Sequence, residues 1–245
     1  MKKTILGMAL CALTAGAWAS NSTHAEAEEV NYGDPTASFS TLGVSRTNNA
    51  TQINGMYGAG SNIFQLDVTR ADNGDLSGRG RYFHVTDGLG YSVDILGDKD
   101  TATVLGGMIY KFQVSDNVML FPMLSAGVSK AKSTTRTDVV LDNRGEPTVK
   151  TTKYNNDDTL LQGGLYALYA FDAGHWLYAN PKVTRTFNGK ATIPQIEIGG
   201  GYMVTDSASV GFKVEHTGKF DTTSNGYRQA IAQDTVSWLQ ANYYF

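Results

Sequence analysis

Charged residues of this chain recur at every second position within short segments, and that spacing decides what chemistry they can do. Lys213 and Glu215 flank Val214, and Arg79 and Arg81 stand two positions apart. In an extended strand such residues share one face, because successive side chains point to opposite sides. A row of charged groups on one face can contact water, bind charged solutes or pair with charges on neighbouring strands.

The same alternation places further charged side chains on the water-facing side of their strands. Two interpretations are open for the whole set: the charges line a water-filled conduit and set its charge preference, or they pair with one another and fill the interior. The same two interpretations apply to the pair of arginines. Arg79 and Arg81 can bind an anionic substrate, or they can neutralise Asp67 and Asp94 on adjacent strands. The predicted lumen-lining residues are Asp67, Arg79, Arg81, Asp94, Lys111, Lys182, Glu197, Lys213 and Glu215.

The elements that position these residues are strands with a two-residue period. The pattern is clearest in 63–69, 89–95, 104–113, 192–204 and 209–217, and less regular in 117–131, 158–171, 175–187 and 236–245. Adding the weakest segments, 36–46, 51–58 and 77–86, gives about 12 strands. Ten strands is the alternative count. With 27 Gly and 13 Tyr against five Pro, the composition is typical of many pleated, half-exposed strands.

The N-terminus predicts export. Lys2 and Lys3 precede an apolar run of 5–15, and Ala17-Trp18-Ala19 supplies small residues for signal-peptide cleavage after Ala19. The apolar run is shorter than the roughly 20 residues a membrane-spanning helix needs. Cleavage of 1–19 removes the only cysteine and leaves 18 basic against 23 acidic residues, a balance that indicates no nucleic-acid partner. Residues 20–35 then form a polar periplasmic lead-in.

The C-terminus is an aromatic strand end. Leu239, Ala241, Tyr243 and Phe245 form one stripe that ends on the last residue. This stripe resembles the assembly signal of bacterial outer-membrane β-barrels, and the resemblance extends over 36–245. It implies an all-β fold, a transmembrane antiparallel up-and-down barrel, with outer-membrane lipid and the barrel-insertion machinery as partners.

Loop lengths fit that topology. If Phe245 is periplasmic, the outer connections are 47–50, 71–76, 97–101, 132–157, 188–191 and 218–234, and the two longest both fall outside. Residues 115–117, 172–174 and 204–207 become periplasmic turns. Within 132–157, the segment 148–154 is expected to extend the wall above the membrane as a hairpin.

The sequence therefore predicts a porin-like channel for small solutes in the bacterial outer membrane, without enzymatic activity, cofactor or metal. One alternative is a non-conducting structural or adhesive barrel that acts through its long outer loops. Another is a lipid-modifying enzyme that uses His216, which should point outward near the extracellular end. Its neighbour on that face, Gly218, supplies no nucleophile. A secreted β-sandwich has similar stripes and is the structural alternative.

Overall fold

Twelve antiparallel strands form the wall of the protein in a computed structural model that describes residues 30–245 except 87, 225 and 226. The predicted signal peptide 1–19 lies outside the described residues. The wall strands are β1 Thr41–Arg46, β2 Ala50–Ala59, β3 Asn62–Ala71, β4 Leu76–Val85, β5 Leu89–Asp98, β6 Thr101–Tyr110, β8 Val118–Ala131, β11 Asp158–Ala170, β12 Trp176–Thr186, β13 Thr192–Thr205, β14 Ala208–Thr217 and β17 Asp234–Tyr244. The remaining strands are β7 Phe112–Gln113, β9 Thr134–Leu141, β10 Pro147–Tyr154, β15 Phe220–Ser224 and β16 Tyr227–Ile231.

The sheet closes on itself. Strands β1 and β17 pair from Thr41 opposite Tyr244 to Arg46 opposite Leu239, so the first and last wall strands are neighbours. Every other pair joins wall strands that follow each other along the chain, including β8 with β11 across the longest connection. Closure leaves no unpaired strand edge, which a sheet must achieve when no water is available to its backbone. The predicted barrel and its count of twelve strands are confirmed.

Alternation along each strand separates an apolar exterior from a polar interior. In β12, Leu177 and Val183 point outward and are about half exposed, whereas Asn180 and Lys182 point inward and are buried. The pattern repeats around the wall, so the outer surface is a continuous apolar band. Among the described residues, no helix has the length and apolar character to cross a membrane.

An aromatic girdle surrounds the end of the barrel that carries the short turns. These rings are exposed on the outer face, as expected at the level of lipid headgroups. The girdle contains Tyr57, Phe64, Tyr82, Tyr91, Tyr110, Phe112, Tyr169, Phe171, Tyr202, Tyr243 and Phe245.

The connections follow the predicted parity. The long segments 132–157 and 218–233 emerge from the end opposite Phe245 and contain the hairpins β9–β10 and β15–β16. At the other end the connections are short, and Gly60 and Gly174 have positive φ values of 59° and 75°, which tight turns require. The predicted strand 148–154 pairs with β9 in a separate two-stranded sheet above the wall.

Two strand boundaries were predicted wrongly. The first strand was expected at 36–46, but β1 begins at Thr41 because residues 36–40 bend into the barrel mouth. The strand expected at 104–113 is divided, since β6 ends at Tyr110 and Phe112–Gln113 folds back on β8 as β7. In both places contacts at the rim of the barrel override the local alternation.

Candidate functional site in the barrel lumen

The predicted lumen-lining residues lie on the inner face of the wall or at its rim. Eight of them, all except Lys111, sit at inward positions of β3, β4, β5, β12, β13 and β14. Lys111 follows β6 at the periplasmic rim, where its Nζ lies 2.6 Å from Asp34 Oδ2. Cross-strand register decides which of these side chains meet.

One charged group is centred on Asp94. Arg79 donates to Asp94 Oδ1 through Nη2 at 2.8 Å and Nε at 3.0 Å, and Arg81 Nε also donates to Asp94. Arg79 Nη1 lies 4.0 Å from Asp67 Oδ2, and Gln65 donates to the same carboxylate at 3.3 Å. Register explains the pairing, since Arg79 stands opposite Asp67 and Arg81 opposite Asp94. The two arginines thus neutralise adjacent carboxylates, one of the two interpretations that the sequence allowed.

A second charged group lies on the four neighbouring wall strands β12, β13, β14 and β17. Lys213 Nζ lies 3.1 Å from Glu215 Oε1, and Trp238 Nε1 donates to Glu215 Oε2 at 2.9 Å. Tyr178 donates its hydroxyl to Glu197 Oε1 at 2.5 Å. Lys213 also lies over the ring of Trp238, 5.3 Å from its centroid. Aromatic donors and a cation therefore hold two carboxylates that the register sets opposite each other.

Positive and negative charges balance in this layer. Four cations, Arg79, Arg81, Lys182 and Lys213, face four carboxylates, Asp67, Asp94, Glu197 and Glu215. Because charges removed from water need compensating partners, such a layer is stable only when it is paired. The described residues of this layer form no uncompensated cationic ladder.

The lumen is narrow at this level. Asn180 and Thr184 are 0% and 1% exposed although both point inward. A cavity between Arg81 on one wall and Lys182 on the other has a volume of about 20 Å³, room for about one water molecule. Both polar atoms of Asn180 lack a hydrogen-bond partner among the described residues.

Aromatic residues fill the lumen below the charged layer, and the sequence analysis missed them. Tyr166 stacks on Tyr178 with ring centroids 4.8 Å apart, and Phe121 meets Tyr166 edge to face. Trp176 and Tyr244 belong to the same cluster. Their inward phase follows from the alternation along β8, β11, β12 and β17.

The three histidines among the described residues lie at or next to strand ends. His216 Nδ1 is 2.8 Å from Thr235 Oγ1 near the extracellular end, and His84 Nδ1 is 3.1 Å from Asn62 Oδ1. His175 stacks on Tyr202 and accepts the Met203 amide at 3.0 Å. No cluster of three or more potential metal ligands is found within the described part of the chain.

The fold resembles that of solved porins. The KdgM porin superposes with a TM-score of 0.54 at 7% identity, over 84% of this chain and 98% of that one. The NanC porin gives 0.50 at 8% identity with the same coverage. A structure of the KdgM porin in complex with disordered oligogalacturonate gives 0.50 at 7% identity, over 84% and 98% of the two chains.

No family model matches the chain, and no curated protein matches its sequence. The closed wall, the apolar exterior and these neighbours define an outer-membrane β-barrel with a porin-like fold, as the sequence predicted.

Proposed function

We propose that the protein is a narrow porin-like channel that passes small solutes across the bacterial outer membrane. The observation that carries this proposal is the inner face, which holds polar and charged side chains between two ends of a closed wall whose outer face is apolar. A barrel of this strand number stands between small barrels filled by side chains and wide aqueous porins. Its conduit is therefore narrow.

We propose weak charge selectivity for this channel. The KdgM porin has been solved with disordered oligogalacturonate, a polyanion. In this chain Asp67, Asp94, Glu197 and Glu215 compensate the lumen cations, so a polyanion would meet carboxylates as well as arginines. Small neutral or zwitterionic solutes fit a balanced interior better.

Conductance in planar bilayers tests the proposal. Refolded protein beginning at residue 20 has no cysteine, so Ser125→Cys and Val128→Cys each introduce one thiol on β8, inward beside the cavity and outward respectively. A charged methanethiosulfonate should reduce the current through the Ser125→Cys barrel only. Both variants are also made without residues 30–37, which cross the periplasmic mouth. Absence of current steps in every barrel would rule out the channel.

A surface-binding role is the second candidate, because the extracellular hairpin β9–β10 exposes an apolar tip. Val139, Leu141 and Val149 are 72%, 71% and 67% exposed, and Val139 stands directly opposite Val149. Deletion of 134–154 that abolished cell attachment and left conductance unchanged would support a separate adhesive function.

We propose that the barrel has no enzymatic activity. His216 contacts a threonine hydroxyl on the outer face, and a threonine is a weak nucleophile without a stronger activating arrangement. Refolded protein should leave phospholipid vesicles intact. Hydrolysis that disappeared in His216→Ala would contradict this.

We also propose that the terminal stripe is read by the barrel-insertion machinery. Leu239, Tyr243 and Phe245 are exposed on the outer face by 74%, 57% and 64%, and Ala241 lies between them. Phe245→Ser should lower the amount of barrel assembled in cells, measured by heat-modifiable gel mobility. Equal assembly of Phe245→Ser and the parent protein would remove the proposal.

A further inference from the structure

Residues 30–40 lie across the periplasmic mouth of the barrel. On one wall Tyr32 stacks on Tyr244 of β17, with ring centroids 4.1 Å apart and planes at 19°. On the opposite side Asp34 pairs with Lys111, just beyond β6, at 2.6 Å. Strands β17 and β6 are separated by five wall strands in either direction, so the segment spans the opening.

The segment fits closely against the inner wall between these contacts. Tyr166 donates its hydroxyl to the Gly33 carbonyl at 3.0 Å. A side chain at Gly33 would collide with Trp176, since a β-carbon there would lie 2.6 Å from the indole ring. Asp34 is only 4% exposed, and Phe39 is completely buried. The segment therefore fills the periplasmic mouth of the barrel.

The wall does not depend on this segment for closure. The backbone amides of the segment bond within it: Asp34 N donates to the Asn31 carbonyl at 3.1 Å, and Thr36 N to Asp34 Oδ1 at 2.7 Å. Backbone contact with the end of β17 begins at Ser40, whose carbonyl accepts from Phe245 N at 3.2 Å, and the ladder that joins β1 to β17 starts at Thr41. Removal of residues 30–37 consequently leaves every strand of the closed sheet in place.

We propose that residues 30–38 are a displaceable plug that gates the periplasmic end of the channel, with the Asp34–Lys111 ion pair as its latch. The proposal rests on the channel function for its effect on conductance, but displacement of the plug can be observed separately. Lys111 is 37% exposed at the rim, so the latch can be attacked from the periplasm without unfolding the barrel. Opening would expose the water-facing inner wall.

Two measurements on refolded protein test the plug. The first is the rate at which a hydrophilic maleimide labels Ser38→Cys, because the Ser38 hydroxyl is buried with the plug in place. The second is conductance in planar bilayers. Both are measured for the parent, Lys111→Glu, which repels Asp34, and Lys111→Arg, which keeps the pair. Deletion of 30–37 serves as the open reference.

The matched control is Lys99→Glu. It makes the same charge change in an ion pair of the same length, 2.6 Å to Asp75, at the extracellular end. We expect Lys111→Glu to label about tenfold faster, as loss of one charge-assisted contact implies. Its conductance should approach that of the deletion. Lys111→Arg and Lys99→Glu should behave like the parent.

The outcomes separate the plug from the channel. Unchanged labelling in Lys111→Glu would overturn the latch, and parent conductance equal to that of the deletion would overturn the plug. Fast labelling of Lys111→Glu with no current in any barrel, the deletion included, would support a displaceable segment and refute the channel.

Discussion

Replacement of Asp94 by Asn measures whether the lumen is packed or hydrated. Asp94 is 4% exposed and receives both Arg79 and Arg81, so its neutralisation leaves two guanidinium groups without their shared carboxylate. Arg79 keeps Asp67 at 4.0 Å, whereas Arg81 loses its only salt bridge among the described residues. Removing one partner of a buried ion pair costs about 3–5 kcal/mol, because a charge stays behind without compensation.

The free energy of unfolding can be measured by urea titration of barrels refolded in phosphatidylcholine vesicles. Trp176 and Trp238 report on the interior, since both are buried inside the wall. We expect Asp94→Asn to lose about 3–5 kcal/mol. The double variant Arg81→Met/Asp94→Leu should recover most of that loss, because Arg79 and Asp67 then remain as a balanced pair.

Asp72→Asn is the matched control. It removes a carboxylate from an ion pair with Arg46 whose two side chains are about half exposed, so its effect should be much smaller. A loss below about 1 kcal/mol for Asp94→Asn, the range of exposed pairs, would show that water screens the charged layer. That result would refute the dehydration of the charged layer and show that water reaches Asp94.

Further predictions concern packing and titration. Gly201→Ala should lower the free energy of unfolding by about 1–3 kcal/mol, because its new methyl group collides with the Trp176 ring. Gly106→Ala meets open space and should leave the urea midpoint unchanged. In the outer loop, the hydrogen bond from Lys99 lowers the pKa of Asp75 below its usual value of 3.8. The contribution of this ion pair to stability is present above the unfolded-state pKa of Asp75 and is lost as pH falls through the folded-state pKa. Lys99→Gln should raise the Asp75 pKa in an NMR titration, and an unchanged pKa would exclude the ion pair.

The alternating pattern made much of the architecture predictable. Lys213, Val214 and Glu215 show why. One face of a wall strand contacts lipid and the other faces the interior, so apolar and polar residues must alternate with a period of two. Loop parity then followed from the position of Phe245. The pairing of Arg79 with Asp67 could be anticipated as one of two outcomes, because consecutive strands in an up-and-down barrel are neighbours.

Contacts between distant segments could not be predicted in this way. Tyr32 meets Tyr244, and Gly33 meets Tyr166 and Trp176, only after the sheet has closed. The residues from 36 to 40 fit a strand as well as a plug when read locally. The path of the chain at residues 36–40 depends on packing against aromatic residues of β11, β12 and β17.

The sequence by itself predicted the barrel wall and about how many strands form it, because alternation and loop length are local properties. Only the tertiary structure decided that the interior charges are compensated and that the N-terminal segment covers the periplasmic mouth. Both depend on which side chains meet across the lumen, and that is set by strand register and closure, not by any single strand.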